Sequence, residues 1–296
     1  MERPAETEDM RVRVEPTASS ARRTVLLTSD GVPIEAAHLP AAHGSGRLAI
    51  VIAHGFTGAL ERPAVRRAAR ELSRFGGVVT FSFRGHGGSG GRSTVGDLEV
   101  LDLAAVVAWA RGLGYERVAT VGFSMGGSVV LRHAGLPGTR DATGAGDTTG
   151  AGVSGGAGDA GDGYGVAAVV SVSSPARWYY RGTAPMRRVH WVVMRPVGRL
   201  VSRFGLKTRI HPEDWNPVPV SPVEAVPFIA PTPLLIVHGD RDTYFPLDHP
   251  LSLAAAAGED GAELWIERGF GHAENAADDA LLARIGAWLT SRVPSA

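Results

Sequence analysis

Unbroken apolar runs alternate with stretches of helical period along most of this chain. Residues 48–53, Leu-Ala-Ile-Val-Ile-Ala, carry no polar side chain, as expected for a strand buried on both faces. Residues 77–83, 118–123, 166–172, 233–238 and 263–267 also read as strands. Between them, residues 61–75, 98–111, 125–133, 247–257 and 278–292 place apolar side chains at helical spacing, the first with an arginine-rich outer face. Near the start, 24–28 and 32–37 flank the turn pair Asp30-Gly31 and read as a hairpin. Strands alternating with helices predict an α/β fold with a mostly parallel, doubly wound sheet covered on both faces. In such sheets reactive residues collect at the carboxyl ends of strands.

Three stretches depart from this rhythm. Residues 1–21 are polar and charged and are expected to form a disordered lead to a single domain over 22–296. Residues 138–165 are dominated by Gly, Ala, Thr and Asp and read as a flexible surface insertion; their glycine spacing does not match a calcium-binding β-roll. Residues 175–231 form a long excursion after the sixth strand.

Composition removes several classes of chemistry. Thirty Lys and Arg balance thirty Asp and Glu, so no global field favours nucleic acid or membrane. There is no cysteine, which excludes disulfides, thiolate metal sites and cysteine nucleophiles. Lys207 is the only lysine. No segment reads as a signal peptide or a membrane span, and a cytoplasmic location is expected.

The most informative residue is Ser124. The segment Gly122-Phe-Ser124-Met-Gly126 follows an apolar strand and opens a helical stretch. A serine on such a tight turn projects from the surface, and flanking glycines give the turn room. The G-x-S-x-G pattern recurs around Ser89 and Ser154, but those copies lie in a glycine loop and in the low-complexity run. Only Ser124 has the strand–turn–helix context of a nucleophile.

A serine hydroxyl needs a base, and the base needs an orienting acid. Acid candidates follow one strand in His238-Gly-Asp240-Arg-Asp242-Thr-Tyr-Phe-Pro246, and the base candidate follows the next in Gly269-Phe-Gly271-His272-Ala-Glu274. The chain order is thus serine, acid, histidine. With His54-Gly-Phe-Thr-Gly58 and Phe81-Ser-Phe-Arg-Gly-His-Gly-Gly-Ser89, these blocks resemble the α/β-hydrolase fold superfamily, in its serine aminopeptidase and monoglyceride-lipase-like esterase branch. The resemblance spans nearly the whole chain from about Thr24. It implies Ser124 as nucleophile, His272 as base and Asp242 as acid, since Pro246 stands in register with the family pattern. Asp240 is the rival acid, with a turn or cap role as its plainer reading. The resemblance also implies an oxyanion hole from the N–H groups of Phe56 and Met125. Ser82 departs from the pattern, because relatives usually carry Asp there to support the Arg84 loop.

By the same resemblance, 175–231 is a short helical cap over the site, with Trp178, Tyr179, Trp191 and Trp215 as candidate substrate-binding residues. Residues 186–204 interleave apolar residues with arginine, as in a basic amphipathic helix. This fits a packed cap with solvated arginines, a rim selecting anionic acyl substrates, or a lid in weak contact with anionic membrane. The expected activity is carboxylic ester hydrolysis through an acyl-enzyme, with no metal or cofactor and a small-molecule ester or acyl substrate as partner. Peptidase, amidase or thioesterase activity uses the same triad. A non-catalytic small-molecule binding protein is the alternative of another class. Dehalogenases and epoxide hydrolases of this fold are disfavoured because they carry Asp at the nucleophile position. Oligomeric state is not legible.

Overall fold

The structure, a computed structural model, describes residues 22–42, 47–136, 165–259 and 261–293. The expected 1–21 lead and all but the last residue of the expected 138–165 insertion that begins with Gly138 lie outside the described residues. Strands β1 (Arg22–Leu27), β2 (Pro33–Leu39), β3 (Leu48–Ala53), β4 (Gly77–Phe81), β5 (Arg117–Phe123), β6 (Ala168–Val172), β7 (Leu234–Gly239) and β8 (Glu263–Glu267) form one sheet. Their spatial order is β1-β2-β4-β3-β5-β6-β7-β8. The β1–β2 hairpin pairs antiparallel and β2 is antiparallel to β4; all later neighbours are parallel.

The apolar runs lie where burial on two faces is greatest. Every residue of β3, β4, β6 and β7 is buried, whereas edge strand β1 is largely exposed. Helices α1 (Pro63–Leu72) and α2 (Glu99–Gly112) pack on β3 and β4, and α3 (Met125–Gly135) packs on β5 and β6. On one face Ile50, Ile52 and Val121 pack with Leu72 of α1 and with Ile285 and Leu289 of the C-terminal helix, Asp279–Arg292. On the other, Val51 and Ala53 pack with Leu103 of α2 and Val129 of α3. Each fully buried large aliphatic side chain contributes roughly 2 kcal/mol.

After β6 come α4 (Ala184–Met194), α5 (Pro196–Gly205) and α6 (Pro222–Ala225); after β7, α7 (Asp248–Ala257); after β8, α8 (Ala273–Ala276) and the C-terminal helix, α9. The basic amphipathic stretch 186–204 is therefore two helices, not one. Pro196 disfavours helical backbone at the residue before it, and Arg195 is extended at φ −107°, ψ 137°. Among the described residues no helix is long and apolar enough to cross a membrane.

Candidate active site

The turn between β5 and α3 forces Ser124 into φ 51°, ψ −114°, a conformation rare for a residue with a side chain. Its glycines are sterically required. A Cβ on Gly122 would stand 2.2 Å from the Gly126 carbonyl oxygen, and one on Gly126 would stand 2.1 Å from that of Ala53. Ser124 N–H donates to the Val172 carbonyl at 2.9 Å, which ties the turn to β6.

Two strand ends deliver its neighbours. His272, after β8, places Nε2 2.9 Å from Ser124 Oγ and Nδ1 2.8 Å from Asp242 Oδ2. Asp242, after β7, also accepts at Oδ1 from the N–H groups of Tyr244 and Phe245, at 2.8 and 3.1 Å. Burial pushes the Asp242 carboxyl up, but its hydrogen bond to His272, the charge there and the two N–H donors outweigh burial and hold it below the usual carboxylate range. The Tyr244 ring stacks on the His272 imidazole, 4.2 Å between centroids and 24° between planes. Asp240 does not join this group; its Oδ1 accepts from Gly269 N–H at 2.6 Å and holds the turn after β8.

The loop after β3 is held almost donor by donor. Gly55 N–H donates to Glu274 Oε1 at 3.1 Å, Thr57 N–H to His86 Nε2 at 3.3 Å, and Gly58 N–H to the Gly55 carbonyl at 2.9 Å. His54 closes the loop from behind: its Nε2 accepts from Phe83 N–H at 3.0 Å, so Nδ1 bears the proton donated to the Gly55 carbonyl at 2.7 Å. No acceptor among the described residues takes the N–H of Phe56 or of Met125. Both residues line the same cavity as Ser124.

That cavity has a volume of about 560 Å³ and is roofed by the cap. Trp178, Tyr179 and Trp215 line it, with Trp178 and Tyr179 each against Trp215 at 5.1 and 5.4 Å between ring centroids. Indole N–H groups fix two of them: Trp178 donates to the Pro219 carbonyl at 2.8 Å and Trp215 to the Thr94 carbonyl at 2.7 Å. Trp191 is a correction. It does not line the cavity but stands half-exposed on the α4 face that also bears Arg187, one turn away.

A family model described as alpha/beta hydrolase fold matches residues 49–139. Solved structures extend the likeness to more than nine-tenths of the chain. The esterase Pf2001 of Pyrococcus furiosus is 20% identical, with 92% of this chain and 91% of that one covered at a TM-score of 0.66. XC6422 of Xanthomonas campestris, an α/β serine hydrolase without a lid, is 18% identical over 94% and 97% of the two chains, TM-score 0.55. Est1E of Butyrivibrio proteoclasticus, solved with ferulic acid bound, is 17% identical over 92% and 100%, TM-score 0.57. This chain has the α/β-hydrolase fold. No protein of the curated collection matches its sequence.

The departure at Ser82 has a local answer. Glu35 of β2 supplies a carboxylate: Oε1 accepts from Ser82 Oγ at 2.6 Å and from Gly88 N–H at 2.8 Å. A Cβ on Gly87 or Gly88 would stand 2.4 Å from a Glu35 oxygen, so the glycines make room for it. Ser89, in one of the other G-x-S-x-G copies, is buried, with its hydroxyl donating to the Ser82 carbonyl. Ser154, in the third, lies outside the described residues.

Sequence reasoning missed Tyr244, Glu274 and Thr183. Thr183 caps α4 and donates through Oγ1 to the Tyr244 carbonyl at 2.9 Å, joining the cap to the Asp242 loop. Arg67 of α1 donates to the Glu274 and Ala277 carbonyls at 2.8 and 2.6 Å and steadies the segment after His272. The Thr-Tyr-Phe run directly after Asp242 was a usable signal for Tyr244. Glu274 and Thr183 had none.

Proposed function

We propose that this protein is a serine hydrolase that cleaves carboxylic esters through an acyl-enzyme. The observation that carries the reading is the unbroken hydrogen-bonded series Asp242–His272–Ser124, ending on the floor of an aromatic-lined cavity. Ser124 Oγ attacks the ester carbonyl while His272 Nε2 takes its proton, and buried Asp242 holds the imidazole in the tautomer with its proton on Nδ1. The oxygen of the tetrahedral intermediate becomes negative beside the open N–H groups of Phe56 and Met125. Fixed donors of this kind are typically worth about 10²–10³ in rate each. His272 then returns the proton to the leaving alcohol, and water activated by the same imidazole releases the acid. A carboxylic ester is the preferred substrate because Pf2001, among the solved structures this chain resembles, is an esterase, and the cavity volume suits a small acyl or aryl ester.

The test is labelling with a fluorophosphonate probe, located by mass spectrometry, in wild type and Ser124→Ala. Covalent label on Ser124 that disappears in the variant is the expected result. A folded wild-type protein that takes no label sinks the proposal.

A further inference from the structure

Helix α5 is turned the opposite way from a core helix. The residues it buries are the small Gly198 and Ser202, while its large apolar side chains face outward: Val197 is 62% exposed, Leu200 57%, Val201 50% and Phe204 72%. At 100° per residue these four share one face. Gly198 explains how the helix can sit this way. A Cβ there would stand 2.6 Å from the Val192 Cα and the Trp191 carbonyl oxygen, so α5 presses its backbone directly on α4.

Cations border the apolar face. Along one side Arg203 and then Arg199 follow it around the helix; Arg199 also donates to the Val193 carbonyl at 3.1 Å, and the Arg203 guanidinium lies 5.7 Å from the centre of the Phe204 ring. No acidic residue occurs between Pro175 and Pro212, a stretch that holds eight arginines and Lys207. None of the four apolar residues lines the cavity, so the catalytic site does not account for the exposed face.

From this combination we infer that the outer face of α5 docks the protein on an anionic lipid surface. An amphipathic helix with an apolar face and basic borders lies in the plane of a bilayer interface, its apolar side chains at the acyl boundary and its cations among anionic headgroups. A second copy of the chain is a poor occupant, because a two-fold pairing of this face would bring two arginine borders together. The inference stands on surface residues alone and does not depend on the proposed ester chemistry.

Sedimentation of the full chain with phosphatidylcholine vesicles, with and without phosphatidylglycerol, tests this. Wild type is expected to bind the phosphatidylglycerol vesicles, to prefer them over neutral ones, and to lose binding as salt rises. Leu200→Asp/Phe204→Asp and Arg195→Glu/Arg203→Glu are each expected to weaken binding by about tenfold or more. Brominated phosphatidylglycerol reads the unmutated chain: half-exposed Trp191, beside α5, should be quenched. Absence of vesicle binding and quenching by wild type overturns the inference. So does binding that both double variants retain, or a self-association in solution that the Leu200/Phe204 variant abolishes.

Discussion

The Glu274 carboxylate accepts the Gly55 N–H at 3.1 Å, joining the residue two places after His272 to the loop that carries Phe56. Glu274 is buried, and a Cβ on Gly55 would lie 3.2 Å from its Oε2 and 3.4 Å from the Ser124 Cβ. One carboxyl group thus spaces the segment after His272, Ser124 and the loop with the open Phe56 N–H. Burial raises its pKa above the ordinary glutamate value, against the lowering effect of its N–H donors and of His272. A glutamate raised in the folded state contributes stability that is present at low pH and lost as pH rises through the folded value.

Glu274→Gln keeps an acceptor for Gly55 without the titration, and its activity should stay within a few-fold of wild type. Glu274→Ala leaves the buried Gly55 N–H unpaired, at about 1–3 kcal/mol of stability. It should also lower kcat by about tenfold or more with little change in KM, since the proposed oxyanion donor on this loop serves the transition state. Steady-state kinetics on a soluble ester separate the two variants. A normal kcat in Glu274→Ala removes the positioning role.

The proposed nucleophile itself opposes folding. With φ at 51° and ψ at −114°, Ser124 holds strain of about 1–3 kcal/mol that glycine would not feel. Glycine costs some of this back through the freer unfolded chain. Ser124→Gly should therefore be more stable than Ser124→Ala by about 1 kcal/mol, with both inactive. Urea unfolding decides it; a glycine variant less stable than Ser124→Ala by about 0.5–1 kcal/mol, the entropy cost alone, would show that the turn is not strained.

These two predictions mark what was legible in the sequence and what was not. The alternation of apolar runs and helical stretches predicts the parallel sheet because β3 and β4 to β7 are buried on both faces, and such strands tolerate almost no polar residue. Ser124, Asp242 and His272 are each visible locally, since each follows a strand and lies in a short glycine- or turn-rich segment. Glu274 and Gly55 are 219 residues apart, and Ser82 and Glu35 47 apart; no local pattern announces either pair. Trp191 was misplaced because an aromatic on a cap helix can face either way. The break at Arg195-Pro196 was readable from the proline alone.

Arg84 anchors the loop after β4 from inside. Its guanidinium reaches Asp102 of α2 at 2.7 Å and Asp30 of the β1–β2 turn at 2.7 Å, and its backbone N–H donates to Asp102 at 2.8 Å. Both Arg84 and Asp102 are buried. Arg84→Met leaves the Asp102 carboxylate without its partner and should cost about 3–5 kcal/mol. Arg84→Met/Asp102→Leu removes both charges and should recover a large part of that loss. The double-mutant cycle by chemical denaturation checks it; a double variant as unstable as the sum of the singles would mean that the pair does not couple.

His54 ties stability to pH. It is fully buried, and burial first, then the nearby His86, lower its pKa from 6.5 to about 3. Its Nε2 must stay unprotonated to accept the Phe83 N–H, so the folded state keeps one tautomer with the proton on Nδ1. In the unfolded chain the same imidazole binds a proton near 6.5. Between the two values the unfolded state therefore holds one more proton, and this contribution to stability falls as pH falls, by about 1.4 kcal/mol per pH unit. Other buried groups also shift on folding, Glu274 upward and so with the opposite sign, so the clean quantity is a difference. His54→Asn should flatten the dependence of unfolding free energy on pH below 6.5 by about one proton relative to wild type. In the wild type, ring ¹⁵N shifts should report the same neutral tautomer from neutral pH down to about 4. A His54 signal that titrates near 6.5 would mean that the loop holding Phe56 opens to solvent, and the fixed geometry proposed for its N–H would fail with it.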